Sequence, residues 1–427
     1  MVMTKQDRRS IFSWCLYDWG NSAFATVIIT FVFSVYFARG IVGDETQGAA
    51  QWSTAIAISG AIIAVISPFL GALADHYGSR KPWILLFTLL CAAATALLYL
   101  GEPSGSFTHI VFIMALVIFA NTAFEIALVF NNAMLPCIAP PDHLGRVSGW
   151  SWGMGYAGGL ACLVLSLVFL AGMGKIVPLL PLPTEHSENI RAVAPLVAIW
   201  MVVFTVPMML YTRDVPRSSL TLGQALGKGT RQLSETARTL RHHGNLFRFM
   251  MASAIYRDGL NTLFAVGGLY AAGTFGLSFQ EILLFAIGLN VTAGLGATGF
   301  ASMDDLKGSK ETVMLSLLGL LFSGLAILLV QDKAIFIGLA MVLGLFMGPV
   351  QSASRTMAAR LSAPDQLGQT YGIYSLTGRV VSFFGPASYA FATHIFDSQR
   401  AGMATILLFW LVGMVLLWTV NEQEQDS

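Results

Sequence analysis

Continuous apolar runs alternate along the chain with short polar punctuation, and the runs are long enough to cross a bilayer. They predict helical spans over 12–39, 51–74, 82–100, 108–134, 149–171, 192–212, 247–273, 279–301, 312–330, 333–357, 370–395 and 402–420. A spanning helix needs roughly 20 apolar residues. Lipid-facing barrel strands would alternate apolar and polar positions in segments of about ten residues, so helices are expected. The fold class that follows is an all-α polytopic membrane protein with twelve transmembrane helices.

Composition agrees: 55% of residues are hydrophobic and 11% charged, against about 25% charged in an ordinary soluble domain. The net charge of +1 comes with no basic tract, which argues against nucleic-acid binding. Cys15, Cys91, Cys137 and Cys162 show neither paired spacing nor a neighbouring His cluster, so no disulfide framework, metal site or cofactor is expected. The start resembles a signal peptide superficially. Yet Tyr17, Asp18 and Asn21 interrupt its apolar run, which continues to Phe37, and it is read as a retained first span.

Most Lys and Arg residues fall on one set of loops. The opposite set holds Arg39, Lys175, Arg191, Lys333 and Arg400, while Arg257 and Arg379 lie inside spans. The richer side is then cytoplasmic, and an even number of spans places both termini there. Segment 213–246 is the one substantial internal linker. Leu222, Leu226, Leu233, Ala237 and Leu240 follow helical spacing, with Arg231, Arg238 and Arg241 among the polar positions. That pattern fits either an interfacial helix or a solvated tether. The outer loop 173–191, with Pro178, Pro181 and Pro183, is expected to form an ordered flap.

Three segments of the first half recur in order in the second. DWGNSAFA at 18–25 matches DGLNTLFA at 258–265, DHYGSR at 75–80 matches DLKGSK at 305–310, and PDHLGRVSG at 141–149 matches PDQLGQTYG at 364–372. Six spans separate each pair, so both copies lie on the same side of the membrane, as in a parallel repeat. The expected domains are a six-helix bundle at 1–212, the linker 213–246 and a second, pseudo-symmetric bundle at 247–427.

GALADHYGSRK at 71–81 resembles the loop motif of the major facilitator superfamily between helices 2 and 3, with Gly71, Asp75, Gly78, Arg80 and Lys81 at the expected places. The resemblance extends over nearly the whole chain. YDWGNSAFATVIITFVF, NNAMLPCIAPPDHLGRVSGWSWGMGYAGG and QSASRTMAARLSAPDQLGQTYGIYSLTGR further resemble the branch containing autophagy-related vacuolar amino-acid effluxers and bacterial relatives. It implies the superfamily fold, solute efflux with amino acids as candidate substrates, and a bacterial inner membrane location. GMGYAGG at 153–159 resembles the superfamily's antiporter motif without its Pro, while Gly385-Pro386 occurs in the eleventh span. That departure leaves antiport and symport both open.

The resemblance also implies that contacts of the 71–81 motif lock a cytoplasmic gate. Asp75 can cap a helix start or face a helix N-terminus. Gly78 permits a tight turn, and Arg80 and Lys81 can bond carboxylates or carbonyls of the other half. Arg146 in the third repeated segment, Asp305, Gly308 and Lys310 in the second motif copy, and Arg379 complete the candidate gating set. The alternative is that the basic residues serve topology alone.

Ionisable residues inside a span cost roughly 2.5–3.5 kcal/mol on insertion scales and normally face a cavity or a partner. Asp18 and Asn21 lie three apart, and Asp258 and Asn261 repeat that spacing, so each pair is expected on one helix face. Asn121, Glu125 and Asn132 fall within a narrow angular sector of the fourth span. Spans 1, 4, 7 and 10 line the central cavity of the superfamily fold, where Gln351 and Arg355 could complete a ring. These nine residues are the candidates for substrate or proton binding. Asp18 and Asp258 could instead pair with Arg residues to hold the halves together. Glu125 is the sharper proton carrier, or else a hydrogen-bonded structural carboxyl, and Arg379 is its candidate counter-ion.

The function expected is secondary active transport of a small solute by alternating access, with protons as candidate coupling ion, in a monomer embedded in the lipid bilayer. A sugar, cation or drug substrate is the alternative, as is a non-transporting receptor on the same scaffold. No nucleophile motif, phosphate loop or metal cluster suggests an enzyme.

Overall fold

The computed structural model describes residues 4–103, 106–172, 178–180, 182–239 and 244–421. Lys175 and Pro181 of the outer loop and Leu240 and Arg241 of the linker lie outside the described residues. Helices α1 (Lys5–Val42), α2 (Glu45–Tyr77), α3 (Lys81–Leu100), α4 (Phe107–Ile138), α5 (Leu144–Ser166) and α6 (Val193–Tyr211) follow the first six expected spans. Linker helix α7 (Leu222–Thr239) precedes α8 (Gly244–Phe275), α9 (Phe279–Lys307), α10 (Ser309–Leu329) and α11 (Lys333–Arg360). The chain ends with α12 (Leu367–Val381), α13 (Phe384–Phe396) and α14 (Gln399–Trp418).

Ten of these segments are individually long and apolar enough to cross a membrane. The other two expected spans depart for visible reasons. Helix α8 has the length, but Arg248, Arg257, Asp258 and Asn261 dilute its apolar character. The eleventh span is broken into α12 and α13 at Ser382–Phe383. Pro386 cannot donate to the carbonyl four residues back, and its ring crowds that carbonyl, which belongs to Ser382. Large apolar side chains such as Ile199, Leu210, Phe322 and Leu329 remain exposed, as a lipid-facing surface requires. The chain is a multi-pass integral membrane protein.

Two compact units are present. The first comprises Met1–Ile63, Ser79–Met134 and Met154–Pro216, and the second Ala64–Gly78, Leu135–Gly153 and Arg217–Ser427. They do not follow the repeat boundary near residue 213, because the ends of α2, α4 and α5 nearest the motif loops group with the second half of the sequence. In the first unit α6 packs against α1 and α3. Gly20 lets the α1 backbone approach Phe204 of α6, and Tyr17 shares a buried hydrogen bond with Thr88 of α3 at 3.1 Å. In the second unit α11 packs against α9 and α10, and α14 against α8, α10 and α13. There Trp410 fills the space beside Gly259 and Gly324.

Candidate functional site

The two copies of the DxxGS[RK] motif end α2 and α9, and each closes with glycine in the left-handed region. Gly78 has φ +90° and Gly308 φ +100°, where a Cβ would be strained. The carboxylate that opens each copy accepts hydrogen bonds from a helix start of the other sequence repeat. Asp75 accepts from the backbone N–H of Gly368 at 2.7 Å and of Gln369 at 2.8 Å, in the first turn of α12. Asp305 accepts from Gly145 at 2.7 Å and Arg146 at 3.2 Å, in the first turn of α5. Gly145 and Gly368 are the same position of the repeated PDxLG segment, so the arrangement is crosswise and pseudo-symmetric.

Such bonds satisfy N–H groups that a helix start leaves without intrahelical partners, and they place negative charge at the positive end of the helix dipole. Arg146 adds an ion pair to Asp305 at 3.3 Å, and Arg360 pairs with Asp304 at 3.2 Å. Small residues let the backbones meet. A Cβ on Gly71 would overlap the Gly368 carbonyl, and one on Gly372 would lie 2.6 Å from the Ser67 carbonyl. In the second crossing, a Cβ on Gly149 would lie 2.5 Å from the Ala297 carbonyl. Ser67 donates to the Gly372 carbonyl at 3.1 Å, and Ser148 to the Ser352 carbonyl at 2.8 Å.

The basic residues of the motif go elsewhere. Arg80 donates to the Ala133 carbonyl at 2.8 Å and Lys81 to the Thr212 carbonyl at 2.8 Å, both within the first half of the sequence. Both residues lie beyond the turn at Gly78, on the α3 side, while Asp75 lies before it. Lys310 repeats the pattern, donating to the Trp418 and Val420 carbonyls at 2.9 and 2.7 Å. The half-buried Arg379 sits in the last turn of α12, where its carbonyl accepts from Ser382.

Inside the spans, Asp18 and Asn21 are both buried on α1, and Asp18 accepts from Asn131 of α4 at 3.1 Å. Asn131 was not among the sequence candidates; the Asn131-Asn132 doublet was the available signal. The expected shared sector on α4 divides. Asn121 is buried and donates to Ser59 of α2 at 2.6 Å, whereas Glu125 and Asn132 are half-buried. Successive helical residues turn by about 100°, so the spacing of four between Asn121 and Glu125 leaves a 40° difference. That is enough to straddle a packing boundary.

Asp258 and Asn261 likewise separate. Asp258 is fully buried and accepts from Gly385 at the start of α13 at 2.8 Å, whereas Asn261 is exposed. Neighbouring Arg257 lies over the Tyr374 ring at 3.9 Å. Arg355 is buried and donates to Ser148 Oγ at 2.9 Å and to the Ser148 carbonyl at 2.7 Å. Half-buried Gln351 donates to the Met347 carbonyl at 3.3 Å. Among the described residues, no group of His, Cys, Asp and Glu side chains is placed to hold a metal ion.

Residues 40–426 match the family model described as vacuole effluxer Atg22 like. The chain belongs to this family. An uncharacterized MFS-type transporter of Bacillus subtilis strain 168, YxiO, is 25% identical over 98% of this chain and 96% of its own length. Autophagy-related protein 22-1 of Neosartorya fischeri is also 25% identical, over 66% of this chain and 49% of that protein. Among solved structures, the fucose transporter FucP in its outward conformation has a TM-score of 0.76 at 12% identity, covering 97% of this chain and 99% of FucP. The human organic anion transporter MFSD10 has a TM-score of 0.72 at 15% identity, covering 96% and 99%. This Atg22-like chain therefore has the fold of the major facilitator superfamily.

Proposed function

We propose that this Atg22-like protein is a secondary active transporter that moves small solutes by alternating access. The crosswise contacts Asp75–Gly368/Gln369 and Asp305–Gly145/Arg146 act as paired latches of its cytoplasmic gate. The supporting observation is their repetition: equivalent carboxylates hold equivalent helix starts, each from the opposite sequence repeat. Such contacts suit a gate because they seal without covalent constraint. Each hydrogen bond to a charged group contributes about 1.5–3 kcal/mol, a scale that a solute or ion can offset by binding one conformation better.

Amino acids are the first substrate class to test, since the family description is that of a vacuole effluxer and several relatives are autophagy-related proteins. Efflux is the expected direction and protons the expected coupling ion. Glu125 is the carboxylate best suited to exchange protons, because it is only half-buried whereas Asp18 and Asp258 are buried. Asp18 and Asp258 are buried and bonded to Asn131 and Gly385. They are assigned to fixing helix positions around the pathway.

Purified protein in liposomes, assayed with labelled amino acids with and without a pH gradient, tests this reading. Gradient-stimulated transport that Glu125→Gln uncouples from pH while leaving exchange intact is expected. Absence of transport and of thermal shift with every amino acid would remove the amino-acid assignment. Unaltered pH dependence in Glu125→Gln would remove the role of that residue.

A further inference from the structure

The turn that carries the first latch is held by a residue outside both repeated motifs. Asp214 lies just past the end of α6, where the linker begins. Its carboxylate accepts from the Ser79 hydroxyl at 2.5 Å, from the Arg80 N–H at 3.0 Å and from the Lys81 N–H at 3.0 Å. Arg80 is the N-cap of α3 and makes no capping hydrogen bond with its own side chain. The helix start is therefore capped from outside by Asp214, and a carboxylate there also meets the positive end of the helix dipole.

The next linker residues engage the other side of the same turn. Ser218 donates its N–H to the Tyr77 carbonyl at 2.9 Å, and the Arg217 guanidinium lies 4.7 Å from the centre of the Tyr77 ring. Further along, Gly229 of α7 lies against the backbone of Ala72, where a Cβ would come within 3.0 Å. The linker thus touches the chain before and after Gly78, three residues beyond Asp75.

In the second motif copy Ser309 corresponds to Ser79, and its hydroxyl donates at 2.6 Å to Asp304, a residue of the helix that the motif itself ends.

We propose that Asp214 is the positioning residue of the first latch. By capping α3 it fixes the turn 77–81, and so sets the Asp75 carboxylate against the N–H groups of Gly368 and Gln369. This rests on the latch reading above and deepens it. Displacing residues 214–218 would release the 77–81 turn and with it loosen Asp75.

Hydrogen–deuterium exchange on the full-length purified protein tests both levels, read on peptides covering 143–147 and 366–370. Asp75→Ala removes the acceptor of the Gly368 and Gln369 amides, so exchange in 366–370 should accelerate at least about tenfold. Asp214→Ala should accelerate the same peptide in the same direction while 143–147 exchanges as in the wild type. Should Asp214→Ala fail to fold, Asp214→Asn replaces one acceptor oxygen by a donor and is read in the same way. Acceleration with Asp75→Ala but not with the Asp214 variant overturns the positioning role and leaves the latch standing. Equal acceleration of both peptides by the Asp214 variant overturns it too, as general loosening. No acceleration with Asp75→Ala overturns the latch itself.

Discussion

The carboxylate of Asp75 accepts the backbone N–H of Gly368 at 2.7 Å across 293 positions of sequence, and Asp305 does the same for Gly145 across 160. The two carboxylates hold equivalent positions in one repeated motif, and the two glycines in another. Each contact therefore joins the first sequence repeat to the second. A crossing of this kind opens only when the helices part, which makes the two aspartates the natural points at which to test gating.

Removing either carboxylate should shift the protein towards the state in which these helix ends are solvated. Each carboxylate accepts two hydrogen bonds, and the loss of even one, worth about 1.5–3 kcal/mol, corresponds to a population change of roughly ten- to a hundredfold. Val147 on α5 is fully buried and reports the change once replaced by Cys in a Cys137→Ser background. Labelling by an impermeant maleimide should be faster in Asp75→Ala and Asp305→Ala, and fastest in the double variant. Equal rates in all four backgrounds would refute the gating role.

Gly71→Ala should act on the first crossing by sterics alone. The added methyl overlaps the Gly368 carbonyl, a backbone atom that cannot rotate away, whereas a Cβ on Gly338 meets nothing within 4 Å. Overpacking costs about 1–3 kcal/mol. Gly71→Ala should lower Tm in detergent and speed labelling of Val147→Cys, while Gly338→Ala should do neither. Comparable behaviour of the two would contradict the close approach of α2 and α12.

The apolar pattern made the helices legible, because each span must hide its own backbone polar groups from lipid and so leaves a long uninterrupted signature. Its two departures also had local causes, the polar residues of α8 and Pro386. The aspartates and the PDxLG segments were legible as repeats, but their crosswise pairing was not, since it depends on how packed helices meet. Helical spacing placed Asn121 with Glu125 and Asn132, and Asp258 with Asn261. It missed that a rotation of about 40° between Asn121 and Glu125, or of about 60° between Asp258 and Asn261, separates a buried neighbour from a more accessible one. Asn131 and Asp214 carried no periodic signal; their significance comes from the partners they find.

Asn131→Ala should destabilise the protein by about 1–3 kcal/mol, because it removes the Nδ2 donor from a buried carboxylate. Asp18→Asn in the same chain should recover part of that loss by removing the charge. A double-mutant cycle on Tm, or on the denaturant midpoint, should give a coupling of about 0.5–3 kcal/mol. Strict additivity would mean that the Asp18–Asn131 contact contributes nothing of its own.

Arg146 and Gln369 occupy the same place in the repeated segment and meet different fates. Arg146 forms an ion pair with Asp305 and keeps 32% of its side chain exposed, so solvent weakens the pair. Gln369 is only 1% exposed, and both polar atoms of its amide are buried without a hydrogen-bond partner among the described residues. An unsatisfied buried amide costs on the order of 1–3 kcal/mol, and an apolar group of similar shape removes that cost. Gln369→Met keeps the backbone N–H that Asp75 accepts and should raise Tm, while Arg146→Gln should lower it by the smaller amount expected of a partly exposed pair, below about 1 kcal/mol. Because Gln369→Met leaves the latch bond intact while removing only the side-chain penalty, it should also slow labelling of Val147→Cys. A lower Tm for Gln369→Met would show that the amide does have a partner, and that the first latch is held by more than the two backbone bonds of Asp75.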